Sequence, residues 1–409
     1  MTSSERRDRR YQRRRKARLN KLEQSQKSFE EIFSLESLWD SAKKCCLGSG
    51  WKTSVINFKT YMLREVSTIF AALHEERRKF GGFASFQTVE HGKRREINAL
   101  TIQDRTAQKC ICTNFLVSLL SRSFVYDNGA CLPGKGQLFQ VKRLRKHLSD
   151  HYRKHGLEGG IYQYDFKGYF ASISHKKIKE RLREKILDDK VYRLMCDFID
   201  DFQYLKISNK DESSAKGIGL GSEVSQVIGL EFASPIDHYV KDHCGVHGYG
   251  RYNDDGYIIS HDLRELQYIQ KEIFAIAEEL GIALNPRKNK ITPFRSHSFT
   301  FLKLRFRMTE TGRIITKISR KNITHQRKKL KKMRQKVIDG TMTYQQVSEA
   351  YQAWRAYARS FKCFDTVRRM DALFLELFKY DAFISERPFK CSYKAVGSPY
   401  AWLYQGLPK

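Results

Sequence analysis

Two strand-like stretches carry acids to points where a buried sheet has to stop, and this constrains the fold of the chain more than any other feature. The first, GGIYQYDFKGYFASISH from Gly159, opens on two glycines and continues with aromatic and β-branched residues up to Asp165, so a buried strand ends on an acid. The second, HGYGRYNDDGYIISHD from His247, reads as two short strands about a tight turn. Asn253, Asp254, Asp255 and Gly256 are turn formers, flanked by Tyr252 and by Tyr257, Ile258 and Ile259. A helix follows Asp262, with Leu266, Ile269, Ile273, Ile276 and Leu280 at helical spacing, Glu265 placed for a capping box and Gly281 closing it. Strand, helix, hairpin and helix on one sheet make an α+β arrangement, and no internal repeat competes with it.

At 409 residues the chain has room for two or three lobes around a sizeable core. Its 76 Lys and Arg against 45 Asp and Glu leave a formal charge of +31, too large for ordinary solvated faces, so a polyanion is the expected partner. An anionic membrane would also attract such a charge. However, no run of roughly 18 or more apolar residues occurs and the amino terminus lacks the apolar core of a signal peptide, so the reading is cytoplasmic with no membrane partner. The nine cysteines include no two CxxC pairs, which points to reduced thiols. Cys110 and Cys112 lie in a helical segment and point in different directions, against a zinc cage.

The arginine-dominated stretch from Arg6 to Lys21 has few apolar anchors and is expected to be mobile until it meets phosphate; a solvated charged helix is the competing reading. Residues 29–80 are helical in pattern. Phe83 to Leu100 reads as a hairpin turning at His91 and Gly92, with Lys93, Arg94 and Arg95 as a basic tip. Helix returns from Asp104 to Leu120, and the loop FVYDNGACLPGKGQ leads to a basic helix from Leu138 to His155.

Hard divalent cations prefer oxygen ligands, and three carboxylates at a strand end and a hairpin turn suit two Mg²⁺ ions about 4 Å apart, spanning the attacking and leaving oxygens of a nucleotidyl transfer. Adjacent acids in a turn more often simply face water, so the motifs around them decide. Asp165 is followed by Phe170, then GIGLGSEVSQ, YNDD, LGIALNPRKNK and FLKLRF. This order resembles the palm of reverse transcriptases, over roughly Trp39 to Tyr380. The resemblance implies a right-hand polymerase with fingers, a palm whose antiparallel sheet has helices on one face, and a helical thumb. It also implies an RNA-directed DNA polymerase using two Mg²⁺ ions, with template RNA, a primer/cDNA duplex and dNTPs as partners. The corresponding segments are a flexible basic arm (1–28), fingers (29–158), palm (159–318), thumb (319–382) and a C-terminal tail (383–409).

Carried over residue by residue, the resemblance puts the metal on Asp165, Asp254 and Asp255, with Phe166 beside the first acid in both the metal and nucleotide sets. Phe170 matches the steric gate that crowds a ribose 2′ hydroxyl, against a competing role in core packing. Tyr252 to Asp255 match the YxDD box, with Asn253 at x. In the fingers, Lys93, Arg95 and Arg105 match triphosphate contacts, which suits the arginine fork; Arg105 could instead pair with Asp104. Lys288 matches a lysine that protonates the pyrophosphate leaving group, against a merely solvated lysine. Phe301 to Leu304 match the primer grip, with Lys303 replacing the usual glycine. Beyond it, Ile323, Leu330, Met333 and Val337 form an apolar stripe on a basic helix read as the first thumb helix. Tyr252, Lys303, Lys328, Lys329 and Lys332 are the expected nucleic-acid contacts, and Trp354 and Tyr357 are expected in the thumb core.

The departures choose a branch. Leu220 precedes Gly221 where many relatives have glutamine, and Gln226 follows Ser225 where they have proline. This LGxxxSQ form is similar to the reverse transcriptases of diversity-generating retroelements, in which loss of that glutamine accompanies loose nucleotide selection. All three residues 220, 221 and 226 join the expected nucleotide-binding set. A bacterial or phage enzyme copying a cognate structured RNA, with an oligomeric accessory protein, is the favoured reading. A defence-associated or abortive-infection enzyme, a maturase-like RNA-binding protein and an RNA-directed RNA polymerase are the alternatives, with Phe170 against the last.

Overall fold

The structure is a computed structural model and describes residues 3–23, 26–75, 83–90, 93–201, 215–295 and 297–384. The chain divides into two compact units, Met1–His297 with Glu310–Gly312, and Ser298–Thr309 with Arg313–Lys409. The expected fingers and palm therefore share one unit, because a single apolar core runs from Phe29 through Leu116, Phe198 and Ile228 to Leu284. The two units divide at 297/298, so the strands within Phe299–Ile318 fall with the C-terminal helices. Among the described residues, no described helix is long and apolar enough to cross a membrane.

In the first unit, strands β1 (Phe83–Glu90) and β2 (Lys93–Leu100) form the antiparallel hairpin, pairing Glu90 with Lys93 and Thr88 with Arg95. The expected turn at His91 and Gly92 lies outside the described residues. Thr101 then caps the helix Ile102–Ile111, which continues through a π-helical turn, Cys112–Leu116. The central sheet contains β3 (Gly160–Asp165), β4 (Gly248–Tyr252), β5 (Asp255–Ser260) and β6 (Lys290–Pro293) in the order β4-β5-β3-β6, with antiparallel pairing throughout. Every residue of β3 is buried, so both faces of the sheet are covered.

This corrects the expectation of helices on one face. Successive strand residues point to opposite faces. Tyr257 meets His147 of the helix Gln137–His155 at 3.0 Å, whereas Tyr249, which points the other way, donates to Asp237 of the helix Ser234–His238. A six-residue strand buried on both sides needs a layer on each.

The arginine-rich amino terminus has regular structure. Residues Ser3–Glu23 form a helix, the competing reading, and Asp8, Arg14 and Arg15 pair with His243, Asp242 and Glu184 at 2.8, 3.2 and 2.9 Å. Arginine is a good helix former, and exposed pairs of this kind add little each.

The second unit holds a sheet of β7 (Phe299–Phe301), β8 (Leu304–Met308) and β9 (Ile314–Ile318), followed by helices Arg320–Ile338, Tyr344–Ser360 and Phe364–Ile384. These strands hydrogen-bond to one another, which is why they separate from the central sheet. Leu330 and Met333 are buried, with Ile323, Val337 and Trp354 packed against them. Leu302 and Lys303 form a two-residue turn with φ of +48° and +66°, so the hairpin expected to need glycine is made with a lysine in the left-handed region.

Gly256 corrects a further reading. It is a strand residue of β5, not part of the turn, and a Cβ placed there would meet the Tyr164 ring at 2.2 Å. Overpacking of this kind costs on the order of 1–3 kcal/mol, so Gly256→Ala is expected to lower the unfolding free energy by about that amount, read from the denaturant midpoint.

Candidate active site

Antiparallel register assembles the acids. Asp165 ends β3 and Asp255 opens β5 directly opposite it, while Asp254 stands in the turn between Tyr252 and Asp255. Directly opposed side chains lie close enough to share a ligand. Carboxylate oxygens of the three residues come within 4.8 Å of one another. The turn is made by Asn253, whose φ of +53° is one that asparagine tolerates better than most residues.

Two side chains from the segment after the helix Leu263–Leu280 close around Asp165. Asn285 donates its side-chain amide to Asp165 Oδ2 at 2.9 Å and its backbone N–H to the Asp165 carbonyl at 2.7 Å. Lys288 Nζ donates to Asp165 Oδ1 and lies 3.4 Å from Asp255 Oδ1. Lys288 is thus a member of the acidic cluster and not merely a solvated lysine. Burial works against its charge, but the neighbouring Asp255, Asp165 and Asp254 outweigh that and raise its pKa. For Asp255, burial first, then a proton shared with Asp165, push the carboxyl up to about 7 against the pull of Lys288. Three oxygen ligands around a mutual repulsion fit a hard divalent cation, which relieves that repulsion on binding.

The remaining expected residues fall into separate places. Phe166 buries its ring between Tyr164 and Tyr169, so only its backbone is left for any metal or nucleotide contact; its N–H donates to the Asp254 carbonyl at 3.2 Å. Phe170 sits in the short helix Tyr169–Ser172, half-buried against the core. Arg105, Gly221 and Gln226 come together with Gln108 and Lys109 around a cavity of about 310 Å³. Arg105 reaches the Cys45 carbonyl at 3.3 Å, while Asp104 accepts from the Thr101 hydroxyl at 2.6 Å. The Leu220 carbonyl accepts from Asn98 of β2 at 3.0 Å, and a Cβ on Gly221, at φ +123°, would press on the Asn98 carbonyl. Glycine is required there for close approach to the hairpin.

Lys93 and Arg95 occupy strand positions near the tip of that hairpin. Tyr252 ends β4, half-buried against the core. Lys303, Lys328, Lys329 and Lys332 are exposed in the second unit.

Sequence reasoning missed Asn285 and the buried pair of Arg251 and Asp237. The first had a signal, the turn-forming Asn-Pro of ALNPRK. The second also had one, because an arginine inside the strand GYGRY must find a buried counter-charge.

The raised Asp255 pKa has a definite sign. In the metal-free protein the folded state holds a proton that the unfolded state releases near 3.8, so the stability contributed is full below that value and lost as pH rises through about 7. Divalent-cation binding must expel that proton. Calorimetric titration with Mg²⁺ in buffers of different ionisation enthalpy is expected to show proton release at pH 6 that fades by about pH 8.5; equal release at both would contradict the coupling.

Residues 85–306, just over half of the chain, match the family described as reverse transcriptase (RNA-dependent DNA polymerase). No curated protein gives a significant match. The match spans β3, the YNDD turn, Lys288 and the helices between them, and RNA template, primer and dNTPs are the substrates that family implies. The chain belongs to the reverse transcriptases and is an RNA-directed DNA polymerase, a nucleotidyltransferase.

Proposed function

We propose that Asp165, Asp254 and Asp255 are the metal-binding catalytic acids of this polymerase. The single observation that carries this is the convergence of their oxygens within 4.8 Å at one end of the central sheet. Two bound Mg²⁺ ions would supply the Lewis acidity that sharpens the primer 3′ hydroxyl and neutralises the triphosphate. Asn285 orients Asp165, and Lys288, charged beside the cluster, is placed to donate a proton to the departing pyrophosphate. Arg105, Gly221 and Gln226, with the basic strand positions Lys93 and Arg95, take the incoming nucleotide, and Phe170 crowds its 2′ position. The β1–β2 hairpin region corresponds to fingers, the central sheet to palm and the three C-terminal helices to thumb. There Lys328, Lys329 and Lys332, with Lys303 at the primer grip, supply sequence-independent contacts to the duplex.

The LGxxxSQ sequence supports an enzyme of the diversity-generating retroelement type, bacterial or phage-encoded, acting in the cytoplasm on a cognate structured RNA with an oligomeric accessory protein. Leu220 offers no side-chain hydrogen bond to the template–nucleotide pair, which accords with loose selection.

Primer extension on an RNA template with dNTPs and Mg²⁺ tests the proposal. Asp165→Ala and Asp254→Ala are expected to lower extension by at least about 10³-fold while RNA binding stays within about twofold. Extension retained in either variant would contradict the assignment. Substitutions concentrated opposite particular template bases support the retroelement type, and accurate copying favours a defence-associated enzyme. Replacing Lys328, Lys329 and Lys332 together by alanine is expected to reduce the slope of log affinity against log salt by about 2 to 3.

A further inference from the structure

Arg251, just before the acidic turn, is the largest fully buried side chain among the described residues, and its counter-charge Asp237 is equally buried. Arg251 donates Nε to Asp237 Oδ1 and Nη2 to Asp237 Oδ2, each at 2.6 Å, the two-pronged geometry only a guanidinium offers. Its remaining donors do not end in the ion pair. Nη2 also reaches the Leu230 carbonyl at 2.9 Å, and Nη1 donates to the Asn253 carbonyl at 2.9 Å. The Asn253 carbonyl belongs to the peptide that leads directly into Asp254, so one guanidinium edge grips the turn on which the acids stand.

Asp237 is held from a second side. The Tyr249 hydroxyl donates to it, and Tyr249 is hydrogen-bonded at 2.9 Å to the hydroxyl of Tyr164, in the strand that ends on Asp165. The network therefore touches both elements that carry the acids. The turn needs such a hold: its Asn253 is in the left-handed region, and just beyond it the oxygens of three acids converge within 4.8 Å.

We infer that Arg251 and Asp237 act as a positioning pair that sets the separation of Asp254 from Asp165, and through it the divalent-cation affinity of the site, without touching substrate. This rests on the reading of the three carboxylates as metal ligands. A pair serving stability alone would behave differently, because a buried ion pair can be exchanged for apolar residues of similar volume with little loss of stability. That exchange would abolish the grip on Asn253.

The test uses the full-length protein in two variants, Arg251→Met combined with Asp237→Leu, and Arg251→Lys, which keeps the charge but cannot reach Asp237, Leu230 and Asn253 together. Folding is checked by circular dichroism and a cooperative melt, and primer extension is followed against Mg²⁺ concentration. In each folded variant the half-saturating Mg²⁺ is expected to rise about tenfold or more, as for residues that orient metal ligands from behind, with primer–template affinity unchanged. A folded variant with wild-type Mg²⁺ dependence overturns the inference, and so does failure of both variants to fold, which would assign the pair to stability alone. Asp254→Ala, run alongside, separates the two claims: if it extends primers like wild type, the metal-site reading itself fails, whatever the pair variants do.

Discussion

A guanidinium and a carboxylate lie inside the first unit with no exposure to solvent, and the hairpin that bears Asp254 and Asp255 is anchored to them. Removing two such charges from water costs several kcal/mol each, a cost offset only by near-complete hydrogen bonding. Arg251 meets that condition by spending its donors on Asp237, on the Leu230 carbonyl and on the Asn253 carbonyl, so the helix Glu223–Phe232, the helix Ser234–His238 and the β4–β5 turn are tied at one point. The strand edge is tied as well, since Arg251 exchanges backbone hydrogen bonds with Asp127 and Gly129. An apolar core could hold these elements together, but it would not dictate the orientation of a single peptide next to Asp254.

The acidic site is the opposite case, a place where three carboxylates converge within 4.8 Å. Asp165 is buried, Asp255 lies opposite it on the paired strand, and the Lys288 ammonium and the neutral Asn285 amide both donate to Asp165. The consequence is a carboxyl on Asp255 that keeps its proton far above the usual range until something better takes its place. The Arg251 network holds the turn beside these acids through the Asn253 carbonyl. The same logic explains why β5 needs glycine at position 256, where Tyr164 fills the space behind the acid, its hydroxyl meeting that of Tyr249.

Much of this was legible in the residues. The alternating pattern up to Asp165 and the turn formers of YNDD placed the acids at a strand end and a hairpin, and helical spacing after Asp262 gave the helix Leu263–Leu280. What could not be read was which residues face one another. The pairing of Asp165 with Asp255 depends on register, and the reach of Lys288 and Asn285 back to Asp165 depends on a contact more than a hundred positions distant in sequence. The division at 297/298 was not legible because hydrogen bonding between β7, β8 and β9, not a change of composition, sets it. The ion pairs of the arginine-rich segment to Glu184, Asp242 and His243 were not legible either, because those partners are distant in sequence. Lys303 holds its left-handed turn despite a local cost of about 1 kcal/mol, since the strands on either side leave it no alternative.

The central claim is that the three carboxylates, held by the Arg251 network, form one divalent-cation site. Diffraction from crystals of the enzyme with primer, template and dNTP in the presence of Mn²⁺, recorded at the manganese edge, tests it most directly. Anomalous peaks bounded by oxygens of Asp165, Asp254 and Asp255 are expected, with Arg251 still donating to the Asn253 carbonyl. Manganese bound elsewhere, with these carboxylates facing solvent, would contradict it.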